Sequence, residues 1–145
     1  MAGEKSTTYS GQLLALLFNA TTIPSIAINA TSAPLTNLYC ALHTADPTAS
    51  GTQSTNEISY TGYARVAVAR STGGWTVTSA SVSPVANVVF GTPTGSPSAT
   101  ATFWSVGTAA SGAGTLLYAA PISPTITITA GLPPTLTTAS TWTEA

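Results

Sequence analysis

Charge is what this sequence has least of. Only 5% of its 145 residues are Asp, Glu, Lys or Arg, against about 25% in an ordinary soluble domain. The whole ionic set is Glu4, Lys5, Asp46, Glu57, Arg65, Arg70 and Glu144, with a formal net charge of -1. Three cations cannot neutralise a run of phosphates, which argues against nucleic acid as a partner. The same scarcity argues against attraction to an anionic membrane surface. Cysteine and histidine occur once each, as Cys40 and His43. An internal disulfide is therefore excluded, and a lone thiol suits a reducing cytoplasm. Long apolar runs are missing too. The run over residues 13–18 is too short for a secretion signal, and nothing approaches the roughly 20 apolar residues of a membrane-spanning helix.

Hydroxyl takes the place of charge: the chain holds 28 Thr and 17 Ser. Threonine is β-branched and suits half-exposed, pleated strands, so the surface is polar without being ionic. A hydrophobic fraction of 43% with almost no net charge is the opposite of a disordered composition. The length fits one domain around one core. A nearly neutral surface gives a lone monomer little protection against association, so much of it is expected to be covered by partner protein.

One segment reads as a helix. Tyr9, Leu13, Leu16 and Leu17 recur at spacings that line one helical face, with Ser6, Thr7 or Thr8 as a cap. Gly11 weakens it by about 1 kcal/mol. Pro24 and Pro34 punctuate a loop to about Asn37, so residues 1–37 are expected to form a helix and an extended, Pro-containing arm. Residues 38–145 carry strand signals at 38–44, 63–70, 75–78, 85–90, 99–107, 115–119 and 125–129, then at Leu136 and Trp142. In the run 125–129, Ile126 and Ile128 alternate strictly with threonine. About eight short strands with frequent turns predict an all-β protein, a β-sandwich or jelly roll with one short N-terminal helix.

Catalytic chemistry has little to work with. A His-based metal site lacks a second imidazole and Cys40 lacks a second thiol, so no metal and no cofactor is expected. Cys40 and His43 fall on opposite faces of their strand, against a Cys–His nucleophile pair. The one carboxylate pair away from the termini, Asp46 with Glu57, has no glycosidase signature. Asp46 reads instead as the start of an Asp-Pro turn, and Glu57 as the partner of Arg65 or Arg70. Trp75, Trp104, Trp142, Tyr60 and Tyr63 could stack on sugars, but three tryptophans on three strands more often anchor a core or an interface. No catalytic residue is assigned, and the expectation is a non-enzyme.

Two strings, Leu38-Tyr39-Cys40-Ala41-Leu42-His43-Thr44-Ala45-Asp46-Pro47 and Tyr60-Thr61-Gly62-Tyr63-Ala64-Arg65-Val66-Ala67-Val68, resemble a family of small tailed-phage virion proteins. A third segment, residues 106–118, fits the same pattern, and the likeness spans residues 9–144. Relatives of this kind are labelled tail-fibre proteins, while the overall plan is similar to jelly-roll cement proteins on capsids. The resemblance implies a structural protein made in the host cytoplasm and carried on the capsid exterior. Its implied partners are the major capsid protein shell and further copies of itself, as a dimer or trimer. A tail or fibre component and a glycan-binding module are the alternatives. Candidate contact residues are Tyr9, Leu13, Leu16, Leu17, Phe18 and Trp142, because apolar terminal segments need something to pack on. Arg65 joins them, paired to Asp46, Glu57 or a neighbouring subunit, with Val66 and Val68 facing the core.

Overall fold

The computed structural model describes residues 5–29 and 33–144; part of the expected arm, at 1–4 and 30–32, lies outside them. One helix, α1 (Thr7–Asn19), precedes β1 (Asn37–His43), β2 (Val66–Ala69), β3 (Trp75–Thr78), β4 (Ser81–Pro84) and β5 (Val88–Val89). Then follow β6 (Thr100–Gly107), β7 (Leu116–Thr127), β8 (Thr135–Leu136) and β9 (Trp142–Thr143). The main sheet has the order β2-β1-β6-β7, and two smaller ones run β3-β4-β9 and β5-β8. All these pairings are antiparallel. The protein is an all-β sandwich with one short helix, as the turn spacing predicts.

The core lies between the main sheet and a layer made of α1 and the smaller sheets. Leu38, Cys40 and Leu42 of β1 and Ala101, Trp104 and Val106 of β6 enter it from one side. Leu14, Phe18, Trp75, Val82, Val88, Leu136 and Trp142 belong to the same buried cluster. The helix therefore shares one core with the strands. Val66 and Val68 pack against that core from β2 while Ala67 and Ala69 are exposed. The expected runs 115–119 and 125–129 are joined in one strand, β7, which ends at Thr127, and β4, to which the sequence reading assigns nothing, is the partner of β3.

The inward face of α1 differs from the expected one. Ser10, Leu14 and Phe18 are its buried residues, a spacing of four that keeps one face. The cause is a close approach. A Cβ on Gly11 would lie 2.3 Å from the Ser79 carbonyl oxygen, so the helix lies against the β3–β4 turn on its small-residue side. Ser6 Oγ accepts from the Tyr9 amide at 3.2 Å and caps the start. At the other end Arg70 donates to the Leu16 and Leu17 carbonyls at 2.7 and 2.5 Å. That places a cation where the helix dipole is negative and its last carbonyls lack partners.

Candidate functional site

Behind β1 the main sheet has a second cover, and it is polar. Residues 44–62 fold over the outer face of β1 and β6, so β1 is buried on both sides and loses the alternation of a half-buried strand. Gln53, fully buried, fastens this loop. Its Nε2 donates to the Tyr39 carbonyl at 3.2 Å and its Oε1 accepts from the Ala109 amide at 2.9 Å. Glycine is required around it: a Cβ on Gly107 would lie 2.1 Å from Gln53 Cδ, and Gly114 at φ +56° would meet Gln53 Oε1 at 2.3 Å.

Arg65 and Glu57 tie the same loop to the 108–115 turn. Arg65 Nε and Nη2 donate to the two Glu57 carboxylate oxygens, each at 2.7 Å, a bidentate pair. Nη1 reaches the Ala109 carbonyl at 2.9 Å and Nη2 the Gly112 carbonyl at 2.6 Å. Tyr63 Oη donates to Glu57 at 2.9 Å and accepts from the Leu42 amide at 3.1 Å. Burial, the largest effect, pushes the Tyr63 hydroxyl well above its ordinary pKa. Asp46 makes the expected turn, accepting from the Thr48 amide at 2.8 Å.

His43 sits beside this knot, fully buried. Its Nδ1 faces the Thr55 carbonyl at 2.9 Å and its Nε2 faces Ser105 Oγ at 2.7 Å. A carbonyl only accepts, so Nδ1 carries the proton and Ser105 donates to Nε2. Burial holds the His43 pKa below its ordinary value, outweighing the Thr55 contact. Serine and histidine in contact are the parts of a nucleophile pair. Both are completely buried here, so no substrate reaches the hydroxyl, and the pair acts as a neutral internal bridge. Cys40 is equally enclosed on the other face, with its thiol pushed up to about 12 by burial. Among the described residues no three His, Cys, Asp or Glu side chains gather.

The expected contact residues divide. Phe18 and Trp142 are inside the protomer, where their rings stack on each other at 6.1 Å and Trp142 lies 3.6 Å from Trp104. Their apolar area is spent on the core of this chain. Leu17 is half-buried against that core, Leu13 and Leu16 are half-buried on the helix flank, and Tyr9 is exposed. Arg65 turns inward to Glu57, one of the partners expected for it. The proposed stacking aromatics are mostly internal: all three tryptophans are buried, and Tyr60 donates to the Gly91 carbonyl at 2.9 Å. Sequence reasoning passes over Gln53 and Ser105, because the glycines that make room for Gln53, at 107 and 114, lie far from it along the chain.

The cations find their partners within the fold. Lys5 pairs with Glu144, whose carboxylate also accepts from Tyr118 at 2.5 Å. The Lys5 contact first, and Tyr118 next, hold the Glu144 carboxyl below the ordinary range. All three cations thus meet partners in the same chain. The exposed surface is mostly hydroxyl and apolar, with Ile26, Ile28 and Leu132 each more than half exposed.

The family model of the podophage GP4 fiber I protein gp80 matches residues 5–142. The chain belongs to that family, a family of phage fibre proteins and so of virion structural proteins. No curated protein matches it.

Proposed function

We propose that this chain is a building subunit of the phage fibre and works by packing against protein neighbours. The match of a fibre-protein family along residues 5–142 carries the reading. Two features of the molecule support it. Its cations are all engaged internally, so no basic surface is offered to nucleic acid or lipid phosphate. Its polar side chains of chemical interest, His43, Ser105 and Cys40, are enclosed in the fold, where they hold structure.

This reading places the protein in the fibre in preference to the capsid shell, and its neighbours are fibre proteins in preference to the major capsid protein. The two locations differ in copy number. Quantitative mass spectrometry of purified particles, with antibody labelling in the electron microscope, tests the choice. A handful to a few tens of copies with label on the appendages is expected. Hundreds of copies with label spread over the shell would restore the capsid-cement reading.

A further inference from the structure

The main sheet has two edges, and they are treated differently. The Arg70 amide donates to the Thr36 carbonyl at 2.9 Å. This bond continues the β1–β2 register, in which Ala69 faces Asn37 and Val68 faces Leu38. In an antiparallel ladder bonded and non-bonded pairs alternate. Arg70, Val68 and Val66 therefore turn their peptide groups toward β1, while Ala69 and Ala67 turn theirs outward. The Ala69 carbonyl is taken by the Ser71 amide at 2.9 Å. The Ala67 amide and carbonyl and the Ala69 amide are left facing out, and among the described residues no strand pairs with β2 on that side.

The opposite edge, β7, follows the same alternation. Ala120 and Tyr118, opposite Trp104 and Val106, face inward, and Ala119 and Pro121 face outward. Proline has no amide to offer, and a proline whose nitrogen points off a sheet is a common guard against edge-to-edge pairing. The other common guard is charge. Neither protects β2. Arg65 is tied to Glu57 and Arg70 to α1, so the cations on both sides of the strand point away from its edge.

Beside β2 lies a groove of about 240 Å³ whose far wall is Gly73, Gly74, Ala86, Asn87 and Val88. The wall residues are small and uncharged. Val85 and Val89, neighbours of these wall residues along the chain, are 45% and 50% exposed. An extended segment entering here meets unpaired peptide groups on one side and apolar surface on the other.

We propose that the β2 edge is a self-association surface that pairs antiparallel with the β2 edge of a second copy, about a two-fold axis at Ala67. The occupant is a second copy because the seam is self-complementary: Ala67 is its own partner, both sides lack charge, and only small side chains meet. Each Ala67 then donates to the other's carbonyl, and the two four-stranded sheets become one of eight. The groove walls of both copies then lie beside the seam, and a lasting contact needs them as well as the strand edges to approach about 1,000 Å².

The test uses purified full chain in solution, independent of where the protein sits in the particle. Sedimentation of the wild type across a concentration series is expected to show a monomer–dimer equilibrium. Ala67→Lys, which sets like charges face to face, should weaken it at least tenfold with near-ultraviolet circular dichroism unchanged. Across a bonded antiparallel pair the Cα atoms are about 5.5 Å apart, within disulfide reach. Ala67→Cys should therefore give a covalent dimer under mild oxidant, and Ala119→Cys, on the guarded edge, should not. A wild type that stays monomeric overturns the proposal. So does an unweakened Ala67→Lys dimer, or cross-linking from residue 119 as good as that from residue 67.

Discussion

Replacing Arg65 with alanine probes the knot that holds two loops on the sheet. The Arg65 side chain is 2% exposed and its Glu57 partner 17%. Breaking a buried pair by removing one member costs about 3–5 kcal/mol, largely because the other charge is left unpaired. Water reaches Glu57 in part and Tyr63 still donates to it, so the lower end applies, about 3 kcal/mol. The Ala109 and Gly112 carbonyls lose their donor as well. At about 2–4 °C per kcal/mol for a chain of this size, melting should fall by about 6–12 °C. Urea denaturation gives the same quantity from the midpoint, provided the slope is unchanged. Glu57→Ala and the double variant complete a cycle. The double variant should be far less destabilised than the sum, because neither charge is stranded. A loss below about 1 kcal/mol for Arg65→Ala, or additive single effects, would refute the argument that this pair is buried and coupled.

Other outcomes follow from single contacts. Gly11→Ala should lower stability by about 1–3 kcal/mol despite the better helix former, because its methyl meets the Ser79 carbonyl; thermal melting checks this. His43 is held neutral by burial, so the unfolded chain binds more protons below the ordinary histidine range. Stability should therefore fall as pH drops from 7 toward 5, by at most about 1.4 kcal/mol per unit for this one group, and His43→Gln should flatten that slope in urea titrations. The Cys40 thiol, pushed up to about 12, should not react with a thiol reagent at pH 8 until denaturant unfolds the chain.

Charge arithmetic and turn chemistry were the most legible parts of this fold. With so few ions, a buried Arg65 had few possible partners, and Glu57 was among those named. The alternation at 125–129 and the Gly-Gly turn before Trp75 placed their strands because period and turn residues are local signals. The helix face was not legible. Leucines at 13, 16 and 17 dominate a hydrophobic reading, whereas the helix is set by how closely Gly11 lets it approach a carbonyl in a turn 68 positions later. Phe18 and Trp142 lie near opposite ends of the sequence, so nothing local shows that they meet. The polar cover of β1 was hidden for the same reason, since Gln53 acts through backbone groups at 39 and 109.

The internal use of every cation also bears on digestion. Trypsin-like proteases cut after lysine and arginine, and they need the side chain in their pocket and the flanking backbone extended. This chain offers them Lys5, Arg65 and Arg70. Arg65 is locked beneath two loops, and Arg70 is folded onto the end of α1. In the native state that leaves Lys5, whose side chain is 36% exposed, as the remaining site. A surface so poor in lysine and arginine thereby leaves such enzymes almost nothing to grip.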